Sequence, residues 1–340
     1  MTEAAFRAKR RQKFLTEQYF LLNGRMLQQG FPFYELGIAS NRAKGDFDCS
    51  GQGGICKDRL KLLRLRYTAG EPIETLKPLY ADVVDWLGRW HRAYDEYRAS
   101  ICLNDIEKIR TGITPLWFED LFCYQLALDV VSLGVLLGEG DFLRTAVAWM
   151  ESARGTDLLF ESIIAPAVAD PRDNTDFFHE VPYEPLIDTI YTAKSPAETA
   201  DFMRLYLDGW YKAFRGAPWH NGHLVATDEY SNYEGYWAFD AAAICVIYGI
   251  DDSDFRDHLV YPKDLADWAR ASNSLERVKP GVSARTIRMR CDGGQHCPQA
   301  GVWYTPATPS SRRAFEKDEL MPTVEGSPWG TTIWYWDERQ

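Results

Sequence analysis

Two segments of this sequence are apolar around nearly the whole circumference of a helix. One runs from Pro115 to Leu137; the other, Tyr236 to Tyr248 (YWAFDAAAICVIY), stops at Gly249, a natural C-cap. A helix without a polar face must be enclosed by other elements. A bilayer is excluded as the enclosure: no stretch offers the ~20 unbroken apolar residues a span requires, and Asp129 interrupts the longest one. The sequence therefore predicts a body of helices packed around central, fully buried ones.

The enclosing helices are legible from their spacing. Tyr80, Val83, Leu87, Trp90, Tyr94 and Tyr97 recur three or four residues apart and share one face, with Asp85, Arg89, Arg92, Asp95 and Glu96 on the other side. Glu71-Pro72 suits the start of this helix. Between Pro196 and Phe214 a second stripe holds Phe202, Leu205, Tyr206, Trp210 and Phe214. Asp251, Asp252, Ser253 and Asp254 supply caps for a short helix after Gly249. The chain is predicted to begin with a charged helix over residues 4–28, followed by a Gly-rich loop, KGDFDCSGQGGICKD, at 44–58.

After Lys279-Pro280-Gly281 the helix formers thin out and short strand-like runs appear: Thr286–Arg290, Val302–Thr305 and Thr331–Trp336. The predicted fold is thus mainly α, a multi-helix bundle in two helical parts with a small C-terminal β module. The expected boundaries are 1–112, 113–278 and 279–340.

Charge narrows the function. The net value is −11, yet residues 1–70 carry 13 basic and 6 acidic side chains, whereas residues 71–280 carry 18 basic and 36 acidic ones, a net −18. Such a body repels nucleic acid and attracts a basic partner. The basic N-terminal run lacks a following apolar stretch, so no secretory signal is expected and the cytoplasm is the expected location. Seven cysteines, an odd number, fit reduced thiols. The aromatic-rich composition permits a homodimer without requiring one.

Catalytic equipment is hard to find. His220 and His223 in WHNGH, with Asp228 and Glu229 nearby, suggest a metal-dependent hydrolase, but Gly222 intervenes and no HExxH arrangement is present. Cys49 with Cys56, and Cys291 with Cys297 beside His296, could donate to zinc, but both pairs are spaced more widely than zinc pairs usually are. No nucleophile elbow, P-loop, kinase signature or dinucleotide fingerprint occurs. The residues predict no enzyme, no cofactor and no metal.

Three segments carry a family resemblance. RYTAGEPIETLKPLY at 66–80 resembles a stretch of the N-terminal helical domain of PoNi proteins, and SLGVLLG at 132–138 is similar to the middle of that family. EGYWAFDAAAICVIYGIDDSDFRDHLVYPKDLADWAR at 234–270 resembles its C-terminal domain, where a GYW helix, a GIDD cap and a YPKDL turn follow one another. PoNi proteins are immunity proteins for PoNe-type DNase toxins of type VI secretion. The tail, with CPQAGVW at 297–303 and TIWYW at 332–336, looks like a β module found on other toxin-immunity proteins.

The resemblance implies an immunity protein that binds a cognate toxin, a basic nuclease domain, stoichiometrically. A secretion-system adaptor or scaffold is the alternative without chemistry. The expected contacts are acidic loops: Asp170, Asp173 and Asp176 in one, and Asp228, Glu229 and Glu234 in another, with Tyr230 and Tyr233 as aromatic anchors.

Overall fold

Both all-round apolar segments form buried helices in the computed structural model, which describes residues 3–100, 114–225, 233–280, 290–305, 311–324 and 332–336. In chain order the first helices are α1 (Glu3–Lys9), α2 (Glu17–Ala43), α3 (Ser50–Thr68), α4 (Lys77–Ser100), α5 (Leu121–Leu137) and α6 (Gly140–Trp149). They are followed by α7 (Leu158–Ile164), α8 (Glu180–Tyr191), α9 (Pro196–Ala213), α10 (Phe239–Tyr248), α11 (Lys263–Ala271) and α12 (Ser274–Val278). Four short strands complete the described elements: β1 (Arg290–Asp292), β2 (Gly301–Tyr304), β3 (Arg313–Phe315) and β4 (Ile333–Trp336). The protein is mainly α. Residues Met1–Pro280 and Gly281–Gln340 make two separate units.

In the first unit α5 and α10 lie against each other inside one continuous core that runs from Phe6 to Val278. Every residue of α5 from Cys123 to Leu137 is buried, and so is α10 from Phe239 to Val246. Asp120 caps α5 by accepting from the Cys123 amide at 2.8 Å. Gly249 ends α10 at φ +64, a conformation that favours a residue without Cβ. The 80–97 stripe behaves as its spacing predicts, with Tyr80, Val83, Leu87 and Trp90 buried and Tyr94 and Tyr97 packed at the core's edge. In α9 the stripe is imperfect: Tyr206 and Trp210 are buried, but Leu205 is 59% exposed. Ser195 caps its start, Oγ accepting from the Glu198 amide, and the Glu198 carboxylate accepts from the Lys194 amide just outside the helix.

Two expectations fail near the N-terminus. The helix predicted over 4–28 is broken after Lys9, because the following residues bond elsewhere. The Arg11 guanidinium donates to Tyr67 O at 2.6 Å, and Gln12 Nε2 donates to Tyr236 O at 2.7 Å and Leu259 O at 2.8 Å. The predicted Gly-rich loop at 44–58 is largely helix, α3 starting at Ser50. Its Gly53 permits close packing: a Cβ there would lie 2.6 Å from the Trp90 ring on α4.

The GYW stretch is keyed to α3. Buried Arg64 pairs with Asp129 of α5 and, at 2.6 Å, with Glu234. Thr68 Oγ1 donates to Glu234 O at 2.7 Å and accepts from Trp237 Nε1 at 2.8 Å. The GIDD stretch does similar work, buried Asp252 accepting from Arg270 at 2.8 Å and the Tyr261 hydroxyl at 2.9 Å. These motifs therefore hold separate helices in register through buried, paired polar groups. The predicted division at 112/113 falls within residues 101–113, outside the described residues.

The second unit is a four-stranded antiparallel sheet in the order β1-β4-β2-β3 around Cys291, Cys297, Trp303, Phe315, Met321 and Trp334. Two of its strands match predicted runs. β3, three residues of RAF, carries too little pattern to have been foreseen.

Candidate functional site

The loop from Asp170 to Asp176 is the predicted acidic segment that the structure builds most deliberately. Its supports begin in α7. Asp157 caps that helix, accepting from the Phe160 amide at 2.7 Å and the Tyr124 hydroxyl at 2.9 Å through one oxygen, and from the Phe178 amide at 3.0 Å through the other. Burial raises its pKa, against these hydrogen bonds, which favour the charge. One turn on, buried Glu161 accepts from Arg154 Nε at 2.8 Å, from the Gly155 amide at 2.8 Å and from the Arg172 amide at 3.4 Å.

Arg154 then donates to Asp170 O at 2.7 Å, and Arg172 donates to Arg154 O at 3.2 Å and to Glu151 at 2.6 Å. The far end is tied by the Leu158 amide to Asp176 O at 2.8 Å. Inside the loop, Asn174 Oδ1 accepts from the amides of Thr175 and Asp176 at 2.8 and 3.1 Å. A loop fixed at both ends and in its middle loses little further entropy when it is bound.

What the loop presents is negative charge. Asp170, Asp173 and Asp176 are all exposed. Asp170 is partly neutralised, lying 3.5 Å from Arg154 and 3.6 Å from Arg172. Asp173 and Asp176 make no ion pair among the described residues. From Asp170 to Asp208 the chain carries nine acidic and three basic side chains, and of the acidic ones only Asp188 is half-buried.

Beside the loop lies a groove of about 150 Å³ lined by Ser162, Asp173, Asn174, Tyr191 and Tyr248, among others. Tyr191 and Tyr248 are 56% and 42% exposed. The Tyr191 hydroxyl is 2.9 Å from Ser162 Oγ, and burial together with Tyr191 pushes the Tyr248 phenol up to about 12. Both rings combine an apolar face with a hydroxyl, the chemistry of an interface anchor. Sequence reasoning missed these two. Tyr248 is the last residue before Gly249, where an otherwise buried helix reaches the surface, and that position was the available signal.

The second predicted loop divides. Asp228, Glu229 and Tyr230 lie outside the described residues. Tyr233 and Glu234 are interior rather than exposed, at 1% and 6%. Glu234 is drawn in by Arg64, and the Tyr233 hydroxyl donates to Gln12 Oε1. These two serve the fold, and the expectation that they stand on a surface loop is corrected.

His220 stacks on Tyr211 at 4.2 Å, and His223 Nδ1 is 2.6 Å from the Tyr236 hydroxyl. Among the described residues no three His, Cys, Asp or Glu side chains converge as a metal site. Six cysteines are buried outside any disulfide, and Cys102 lies outside the described residues. Burial raises the thiols of Cys49 to about 11 and of Cys56 and Cys245 to about 12. No helix among the described residues is long and apolar enough to cross a membrane.

Comparison with known proteins agrees with the resemblance drawn from the motifs. Residues 155–265 match the family described as PoNe immunity proteins (PoNi), C-terminal. That stretch holds the acidic loop and both groove tyrosines. The crystal structure of protein PA2201 from Pseudomonas aeruginosa is similar, with a TM-score of 0.55 and 20% identity over 80% of this chain and 95% of that one. At that identity the likeness is one of fold. No curated protein matches the chain.

Proposed function

With residues 155–265 belonging to the C-terminal part of the PoNi immunity-protein family, we propose that the chain is an immunity protein that binds a cognate DNase toxin stoichiometrically and blocks it without catalysis. The observation that carries the reading is the Asp170–Asp176 loop. Three exposed carboxylates, of which Asp173 lines the Tyr191–Tyr248 groove, sit on a loop held by the buried Arg154–Glu161 pair and by hydrogen bonds at both ends. A nuclease needs a basic surface to hold phosphates, and a preorganised acidic loop is complementary to such a surface. The body's net −18 steers the encounter, the fixed loop sets orientation, and the tyrosines provide apolar contact.

The mechanism is occlusion: the acidic side chains occupy the positions that phosphates would take. In this reading the protein acts in the cytoplasm of the toxin-producing cell, in the setting of type VI secretion. The test is protection. A PoNe-type DNase toxin is expressed in a susceptible bacterium with or without this chain, and chromosomal DNA integrity is followed together with growth. Survival with intact DNA supports the proposal; unchanged DNA degradation at matched expression of both proteins contradicts it.

A further inference from the structure

We propose that the outer face of α2 is a homodimer seam, on which a second copy of this chain docks antiparallel about a two-fold axis at Gln29. The proposal stands apart from toxin binding. Between Gln18 and Asn41 only Arg25 and Glu35 are charged, although most of these residues face solvent. Leu21 is 51% exposed, Met26 57%, Phe33 74% and Leu36 71%, whereas α2 buries only Tyr19 and Phe31. A surface helix normally turns a charged face outward, and a run of exposed apolar side chains on a folded protein marks a docking surface.

The pattern names the occupant. Leu22, Met26, Gln29, Phe33, Leu36 and Ser40 are spaced four, three, four, three and four apart, which is the spacing of a two-helix seam. Laid antiparallel on a copy of itself, this series is self-complementary. Leu22 meets Leu36, Met26 meets Phe33, and Gln29 meets Gln29, whose amide both donates and accepts.

Charge agrees. Arg25 falls opposite residues 33–34 of the other copy, next to its Glu35, while the two Arg25 side chains are separated by about eight residues of helix, roughly 12 Å. Glu35 already contacts Arg59 at 3.3 Å but keeps 41% of its side chain exposed. The face is extended by an apolar groove of about 350 Å³ beside α2, lined by Phe33, Tyr34, Ile38 and Ile55 and floored by Gly51 and Gly54. That gives the seam breadth towards the ~800 Å² per partner of a stable interface. A basic toxin surface finds only Glu35 on α2 and Asp58 in the groove to pair with, whereas a second copy meets the apolar series with the same series.

The experiment uses the full chain at about 100 µM in light scattering and sedimentation, with the single variants Met26→Glu and Phe33→Glu, and with Gln29→Cys under mild oxidation. The expected wild-type mass is twice 39.0 kDa. Each Glu variant should run as a monomer with unchanged helicity, because the altered side chains are exposed in the single chain. Gln29→Cys should form a symmetric interchain disulfide in high yield, since it sits on the axis. Raised salt should preserve or strengthen the dimer, because it screens repulsion between two acidic bodies. A monomeric wild type without Gln29→Cys cross-linking overturns the proposal. So does a dimer that survives both Glu variants, or a monomer whose toxin binding is what Met26→Glu abolishes.

Discussion

Replacing Asp240 by Asn should stabilise the protein, and more so at higher pH. Asp240 opens the first turn of α10, is wholly buried, and accepts from the Ala241 amide at 2.7 Å, with no basic side chain paired to it among the described residues. Burial raises its pKa from 3.8 to about 6, the neighbouring Tyr206 hydroxyl and two backbone amides working against that rise. The folded chain thus retains this proton to higher pH than the unfolded chain. The group's contribution is most favourable below pH 4 and is lost as pH rises through 6, reaching on the order of 3 kcal/mol at pH 8 and roughly half of that at pH 5. Asn keeps an acceptor for the Ala241 amide and can donate to the Tyr206 oxygen without a buried charge. Urea unfolding of Asp240→Asn and wild type at both pH values measures this. The variant's advantage should be on the order of 3 kcal/mol at pH 8 and roughly half of that at pH 5. A variant destabilised equally at both would mean that the ionised carboxylate is wanted where it is.

Other outcomes follow from the same structure. Arg64→Met leaves Asp129 and Glu234 buried without their shared cation, so stability should fall by about 3–5 kcal/mol in denaturant titration; a loss below about 1 kcal/mol would deny the network its role. Tyr248→Ala should weaken toxin binding about tenfold or more in calorimetry with little change in Tm, and an unaltered affinity would remove the groove from the interface. Native protein should react slowly with a thiol reagent while all seven cysteines titrate on denaturation; fast native labelling of Cys56 or Cys245 would contradict their burial.

Much of the fold is written locally. The spacing of Tyr80 to Trp90 and the Gly249 cap need nothing beyond neighbours in sequence, and each appears where it was expected. The failures share one cause, long-range partners. Arg11 and Gln12 leave the helical pattern because their hydrogen-bond partners lie more than fifty and two hundred residues away. Gly53 reads as loop until Trp90 is seen against it. Glu234 looks like a surface acid in an exposed loop, and only Arg64, 170 residues distant, makes it interior. The acidic loop at 170–176 was legible by composition; its rigidity and its tyrosine neighbours depend on where α7, α8 and α10 end.

The central claim is that this loop recognises a basic toxin surface by charge held in place. It is tested most directly by stopped-flow association of the purified cognate toxin with wild type and with Asp173→Lys/Asp176→Lys, from about 50 to 500 mM salt. For wild type the association rate should fall steeply with salt. In the double variant it should be at least about tenfold slower at low salt and nearly flat across the series, with Tm unchanged because exposed, unpaired carboxylates contribute little to folding. Association that ignores both salt and the two reversals would contradict the account.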